Sequence, residues 1–154
     1  MAVYAHVDDV NTVRAESLQV DKMKGAPVAS WANGIGAITL FVEDLAQATW
    51  FYSDVFGLPT AFEDEHSAVF AFGSTSVNLL SVKAAPELVE PARVGMPDSG
   101  SRAVVSVEVD DVDAICAHLC ERGVQLLNGP MDRPWGVRTA SFQDPAGHIW
   151  EIVK

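Results

Sequence analysis

An internal repeat constrains the fold of this chain more than any other feature of its sequence. The letters VED at 42–44 recur as VDD at 109–111, an offset of 67 residues, and Gly57 recurs as Gly123, an offset of 66. In both copies an alternating apolar segment comes before the aspartate and a helical pattern follows it. A repeat of this length predicts two copies of one supersecondary unit that pack into a shared core.

Each copy of the repeat predicts a strand, a helix and two or three further strands. Asp44 and Asp111 are placed to cap the helix N-termini, and Gly57 and Gly123 are placed to end the helices. A unit of about 50 residues is too small to bury its own sheet. The predicted fold class is therefore α+β, with paired βαβββ modules forming a curved mixed sheet cup and the helices outside.

The pattern also divides the chain. Residues 1–33 show only weak helical spacing and are interpreted as an N-terminal extension. The domain proper is expected at 34–154, with one module at 34–82 and the other at 102–154. The segment 83–101, rich in proline and glycine, is expected to link the two modules.

Composition excludes several classes of protein. The hydrophobic content of 49% and charged content of 20% indicate a folded globular protein. A net charge of −11 would repel a phosphate backbone, so nucleic acid is not an expected partner. No apolar run approaches the roughly 20 residues of a membrane span, and the first ten residues lack the pattern of a signal peptide. No membrane partner is expected, and the expected location is cytoplasmic.

Three motifs in this order resemble those of the vicinal oxygen chelate superfamily: FVEDLAQATWFYSDVFGL, VEVDDVDAICAHLCERGV and PWGVRTASFQDPAGHIWEIV. This superfamily includes glyoxalase I, extradiol dioxygenases, fosfomycin resistance proteins and bleomycin resistance proteins. The resemblance covers most of residues 35–154 and implies paired modules around a cup. Because members commonly dimerise and sometimes exchange modules, we expect a homodimer, with the modules pairing either within or between chains.

The resemblance also implies four metal-ligand positions in the cup. On this chain they fall at Ala37, Asn78, Val104 and Glu151. Only Glu151 is a strong ligand, whereas Ala37 and Val104 offer only hydrocarbon. A divalent transition metal needs about three histidine or carboxylate ligands. We therefore expect no metal cofactor, the alternative being one divalent metal ion at a site of other composition.

The last two predicted strands suggest a partner for Glu151. If DPAG forms the turn between them, Ala140 lies opposite Glu151. Arg138 would then lie two residues along the same face, within diagonal reach of the Glu151 carboxylate. We expect Arg138 and Glu151 to point into the cup together, either as an ion pair or as polar groups beside a ligand.

Strand alternation extends this lining to both modules. The expected ligand-binding residues are Thr39, Phe41, Asn78, Ser106, Glu108, Trp135, Arg138 and Glu151. Such a mixture of apolar walls and a few polar groups is typical of small-molecule pockets. Trp135 is expected at the rim, where it either stacks on a flat or cationic ligand or simply shapes its turn.

Three functions are compatible with these residues. The first is a metal-free binding protein that sequesters a cationic or aromatic ligand in the cup or dimer groove, as in the bleomycin resistance branch. The second is an enzyme (a lyase, isomerase or dioxygenase) that uses Glu151 as acid or base, or a non-standard metal site. The third is an accessory module whose cup is closed by its own side chains. The missing metal ligands and the acidity favour the first.

Overall fold

A computed structural model describes Ala32 and residues 34–154. The predicted extension 1–33 therefore lies, apart from Ala32, outside the described residues. One compact unit spans Ile35–Lys154. Within the described part of the chain, no helix is both long and apolar enough to cross a membrane.

The described elements follow the repeat seen in the sequence. They are β1 (Ala37–Val42), α1 (Leu45–Val55), β2 (Thr60–Glu63), β3 (Ser67–Phe72), β4 (Thr75–Ser81), α2 (Pro86–Val89), a 3-10 turn (Pro97–Ser99), β5 (Val104–Glu108), α3 (Val112–Glu121), β6 (Leu126–Asp132), β7 (Arg138–Gln143) and β8 (Ile149–Val153). The segment expected as a linker thus contains the short helix α2 and the 3-10 turn.

The strands form two mixed four-stranded sheets, ordered β1-β4-β3-β2 and β5-β8-β7-β6. The first and last strands of each module are parallel neighbours, and the other pairs are antiparallel. The α+β class and the paired βαβββ modules are confirmed. The mixed sheet expected from the sequence consists of two separate sheets, since among the described strands β1 and β5 pair only within their own modules.

Both long helices begin and end where the sequence predicts. The Asp44 side chain accepts a hydrogen bond of 2.9 Å from the backbone N–H three residues on, and Asp111 accepts an equivalent bond of 3.0 Å. These bonds satisfy N–H groups that have no partner within the helix. Just past the helices, Gly57 has φ +65° and Gly123 has φ +73°, the left-handed conformation that favours glycine.

The helix-bearing faces of the two sheets share one aromatic core. The Trp150 ring on β8 lies 4.8 Å from Phe56, 5.2 Å from Phe72 and 5.8 Å from Tyr52, measured between ring centres. Phe56, Phe72 and Tyr52 belong to the first module, so the two modules meet through their helix-bearing sides. The opposite face of each sheet therefore points away from this core.

A buried hydrogen-bonded chain crosses the same junction. The Tyr52 hydroxyl donates to Asp144 Oδ2 at 2.9 Å and accepts from Trp150 Nε1 at 3.0 Å. Burial, followed by the neighbouring Asp144 carboxylate, raises the pKa of Tyr52 far above its usual range. The hydroxyl therefore stays neutral and ties helix α1 to the second module.

Candidate functional site

The outer face of the first sheet carries the polar groups expected there. Leu40 and Val42 of β1 are buried beneath the helices, so Thr39 and Phe41 lie on the other face. Thr39 is the register partner of Asn78 on the parallel neighbour β4, which places Asn78 on the same face. The predicted residues of the first module thus share one surface.

An unpartnered acceptor lies on this surface. Asn78 Oδ1 is buried and has no hydrogen-bond partner among the described residues. A buried carbonyl oxygen without a donor costs free energy, about 1–3 kcal/mol. An N–H or O–H donor supplied by a bound molecule would remove that cost.

The outer face of the second sheet is centred on Glu151. Ser106 is the register partner of Glu151 on the neighbouring parallel strand, and its Oγ donates to Glu151 Oε2 at 3.0 Å. Glu108 lies two residues along β5 on the same face. Trp150 and Ile152 alternate with Glu151 and are buried on the helix side.

The predicted pairing of the last two strands is wrong by one residue. Glu151 lies opposite Ser141, not opposite Ala140. The register differs because the turn is shorter than expected. The backbone N–H of Asp144 donates to the carbonyl oxygen of His148, which leaves a loop of three residues that ends at Gly147 with φ +91°. A slip of one residue moves every side chain of a strand to the opposite face.

Arg138 consequently lies on the helix side, and the expected pair with Glu151 does not form. Its guanidinium binds Asp113 of α3 through two hydrogen bonds of 2.7 and 2.8 Å, and Asp132 of β6 at 2.9 Å. The hydrogen bonds from Arg138 lower the pKa of the Asp113 carboxyl. Arg138 is therefore part of a surface ion-pair cluster and does not line the cup.

A different arginine lies on the face of Glu151. Asn128 of β6 is the register partner of Ser141 and so shares this face. Arg133 donates to the side chains of Asn128 and Thr139, both at 2.8 Å, and its Cζ lies 6.0 Å from the centre of the Trp135 ring. The position of Arg133 is not predictable from the sequence, because β6 carries register shifts that conceal which side chains face the cup.

Trp135 is 56% exposed, so its indole is accessible near the end of the β6–β7 hairpin. The Arg133 guanidinium lies over the ring. The contact predicted between Trp135 and a ligand stays a prediction.

The four positions that the family would use for a metal do not supply a ligand set. Ala37 and Val104 carry no donor atom, and Val104 is 55% exposed at the edge strand β5. Among the described residues, no group of three histidine, cysteine, aspartate or glutamate side chains could hold a metal ion. One carboxylate and one amide do not fit the donor requirements of a divalent transition metal.

A cleft of about 970 Å³ lies between β5 of the second module and the β3–β4 hairpin of the first, and Ile38 of β1 also lines it. Its walls include Ile38 and Val77 from the first module and Val105, Val107 and Trp150 from the second. Ile38, Val105 and Val107 are only partly buried although they face the core side of their strands. One chain therefore leaves apolar surface uncovered between its two modules.

Paired βαβββ modules, each with a helix on one side and a polar open face on the other, define the class of this protein. The model of the Glyoxalase/Bleomycin resistance protein/Dioxygenase superfamily matches residues 34–152. The chain therefore belongs to this superfamily, also called the vicinal oxygen chelate superfamily.

Individual relatives and structures agree with this assignment. The chain is 36% identical over 121 residues to the uncharacterized protein YraH of Bacillus subtilis (strain 168), covering 76% of this chain and 94% of that one. It is 30% identical over 124 residues to the metallothiol transferase FosB of Shouchella clausii (strain KSM-K16), covering 78% and 79%. A glyoxalase/bleomycin resistance protein/dioxygenase from Nocardioides superposes with a TM-score of 0.69 at 25% identity, covering 90% and 91% of the two chains.

Proposed function

We propose that this protein binds a small molecule without a metal of its own. The observation that carries the proposal is the chemistry at the four family positions: Ala37 and Val104 are hydrocarbon, whereas Glu151 is kept. Its carboxylate accepts a hydrogen bond from Ser106. A retained carboxylate held by a neutral donor is suited to recognising a polar group of a ligand.

The ligand is cationic or rich in hydrogen-bond donors, with a partly aromatic body. The two open faces present acceptors: the carboxylates of Glu108 and Glu151 and the unpartnered Asn78 oxygen. The net charge of −11 adds attraction for a cation. Phe41, on the same face as Asn78, supplies apolar surface.

The functional unit is a homodimer. Because the helix-bearing sides meet inside one chain, Asn78 and Glu151 lie on faces that point away from each other. A second copy could bring the first sheet of one chain against the second sheet of the other. The edges of β1 and β5, which pair with no further strand among the described residues, and the apolar cleft beside β5 are the surfaces such a copy would cover.

Catalysis is the second candidate, and one relative favours it. The protein similar to this chain from Shouchella clausii is a metallothiol transferase by name. In an enzyme, Glu151 would act as acid or base, with Ser106 orienting its carboxylate. The loss of donor atoms at Ala37 and Val104 weighs against a metal-dependent reaction at this site. The cytoplasmic location expected from the sequence stays a prediction.

Metal content tests the metal-free part of the proposal. Untagged protein should contain no near-stoichiometric transition metal by elemental mass spectrometry. Its thermal midpoint should not rise with Ni, Zn, Mn, Fe or Co, since a ligand raises the midpoint only by binding the folded state. One metal per chain together with strong stabilisation would contradict the proposal.

Ligand binding tests the other part. Cationic aromatics and glycopeptide antibiotics, bleomycin included, are titrated by calorimetry into the wild type, Glu151→Gln and Glu87→Gln. The last is a matched control, because Glu87 is exposed on the short helix α2. Binding that Glu151→Gln weakens about tenfold or more, and Glu87→Gln leaves unchanged, supports the proposal. Binding that is insensitive to Glu151→Gln would place the ligand elsewhere.

A further inference from the structure

A row of polar side chains runs across the open face of the second sheet. Ser106, Glu151, Ser141 and Asn128 are successive register partners on β5, β8, β7 and β6. Register partners on neighbouring strands share a face and lie side by side. The row begins beside the Glu151 carboxylate and ends at Asn128, which binds Arg133.

Arg133 is oriented at the end of this row by contacts with neutral groups. Its Nε donates to Thr139 Oγ1 and its Nη2 to Asn128 Oδ1, both at 2.8 Å, and the Trp135 ring lies beneath the guanidinium. Thr139 is fully buried, so the arginine side chain lies along the sheet surface. These contacts orient the planar group without neutralising its charge.

The charge of Arg133 is not paired with an acid in the part of the chain that the structure describes. The ion pairs found there are made by Arg122 and Arg138. The absence of an acidic partner for Arg133 among the described residues contrasts with the composition, since the chain has 21 acidic and only 10 basic residues. A fixed guanidinium that keeps spare N–H donors matches the geometry of a carboxylate or phosphate oxygen pair.

We propose that Arg133 recognises an anionic group of the same ligand whose donor group binds Glu151, so that the ligand is zwitterionic. The inference rests on the proposed binding function and narrows its ligand class. Glu151 and Asn128 lie two strands apart, a Cα separation of roughly 10 Å. The two long side chains bridge part of this distance, and the ligand therefore has the size of a small amino-acid derivative.

The test uses a rigid zwitterion and its two halves. The probes are 4-(aminomethyl)benzoate, benzylamine and benzoate, titrated into the full chain by calorimetry and by protein-observed NMR. The variants are Arg133→Gln, Arg133→Lys and Glu151→Gln. Arg93→Gln is the control, because it removes the same charge from the exposed segment after α2. The circular dichroism spectrum of each variant verifies that it is folded.

The zwitterion is expected to bind about tenfold or more tightly than benzylamine, the gain of a charge-assisted bidentate contact. Arg133→Gln should abolish this gain, Arg133→Lys should keep part of it, and Arg93→Gln should leave it intact. A zwitterion that binds no better than benzylamine, or a gain that survives Arg133→Gln, overturns the role of Arg133. If Arg133 is excluded in this way but Glu151→Gln still weakens the binding of 4-(aminomethyl)benzoate and of benzylamine, the proposed function stands. Amine binding that is indifferent to Glu151→Gln overturns both.

Should Arg133→Gln fail to fold, Arg133→Lys distinguishes the outcomes in its place. It keeps the charge but loses the planar pair of donors. It is expected to weaken the zwitterion and to leave benzylamine unaffected. Equal affinity of wild type and Arg133→Lys for the zwitterion, measured on folded protein, contradicts bidentate recognition.

Discussion

Replacement of Tyr52 by phenylalanine removes one hydroxyl from the junction between the modules. That hydroxyl donates to Asp144 and accepts from Trp150, and all three residues are less than 5% exposed. Its loss leaves a buried carboxylate oxygen and a buried indole N–H without this partner. Each such group costs about 1–3 kcal/mol. Because the other Asp144 oxygen keeps two backbone N–H donors, we expect a total loss of about 3 kcal/mol in the free energy of unfolding.

The matched control is Thr49→Val, which also removes one hydroxyl from helix α1. Thr49 Oγ1 is buried and has no partner among the described residues, so its removal should be neutral or should stabilise by up to about 1 kcal/mol. Urea unfolding at fixed protein concentration, followed by circular dichroism and tryptophan fluorescence, gives both values. A loss below about 1 kcal/mol for Tyr52→Phe, or equal losses in the two variants, would refute the reasoning.

Tyr52→Phe also changes how the free energy of unfolding depends on pH. The pKa of Tyr52 is raised in the folded state, so the unfolded chain ionises first as the pH rises past about 10. This contribution to stability is complete below that pH and is lost progressively above it. Wild type should therefore lose stability faster than Tyr52→Phe in alkaline solution, and parallel curves would contradict the buried hydroxyl.

Two further predictions concern the second module. Gly129→Ala should destabilise the protein by more than about 2 kcal/mol, because φ is +83° and a Cβ would meet the Thr139 carbonyl oxygen at 2.5 Å. Gly136 is the control, because its φ is also positive at +91° but no atom lies within 4 Å of an added Cβ. Gly136→Ala should therefore lose only the free energy of the left-handed backbone conformation, about 1 kcal/mol. Equal losses of stability for the two variants in urea titrations would be inconsistent with the clash at Gly129. Arg138→Gln should remove the interaction that lowers the pKa of Asp113. The stability that this interaction contributes is present above the unfolded pKa of about 4 and is lost as the pH falls, so the free energies of unfolding of wild type and Arg138→Gln should converge in acid. A difference in stability that stays constant between pH 7 and pH 3 would contradict this prediction.

The features predicted correctly from sequence are those encoded locally. The helices of the two repeat copies and their caps depend on residues three or four positions apart, such as Asp44 and Gln47. The alternation of buried Trp150 and Ile152 with Glu151 is likewise a property of one strand. These patterns were sufficient to predict the α+β class and the two modules.

The features that were missed depend on how separate segments meet. The register of the last hairpin follows from the three-residue loop at 145–147, in which the Asp144 side chain binds the backbone of Ala146 and His148. No apolar pattern distinguishes this loop from one that is a residue longer. The partners of Arg138 and Arg133 come from other elements, and β6 is irregular, so alternation alone could not assign their faces.

The measurement that tests the central claim most directly is metal binding by restored family positions. Ala37→His and Val104→His each supply one ligand to join Glu151. The double variant should bind Ni²⁺ or Zn²⁺ tightly by competition titration, since two histidines and a carboxylate suffice for such ions. Glu151→Gln in that background should weaken the binding.

The decisive sample is a mixture of the two single variants, refolded together so that chains exchange. If each cup combines the first module of one chain with the second of another, only mixed dimers contain a cup with both histidines. Random pairing makes half of the dimers mixed, so the account predicts about one tight site per four chains. A mixture that binds no better than either single variant, while the double variant binds tightly, would place the cup within one chain. Failure of the double variant to bind would show that these positions do not converge, and it too would contradict the account.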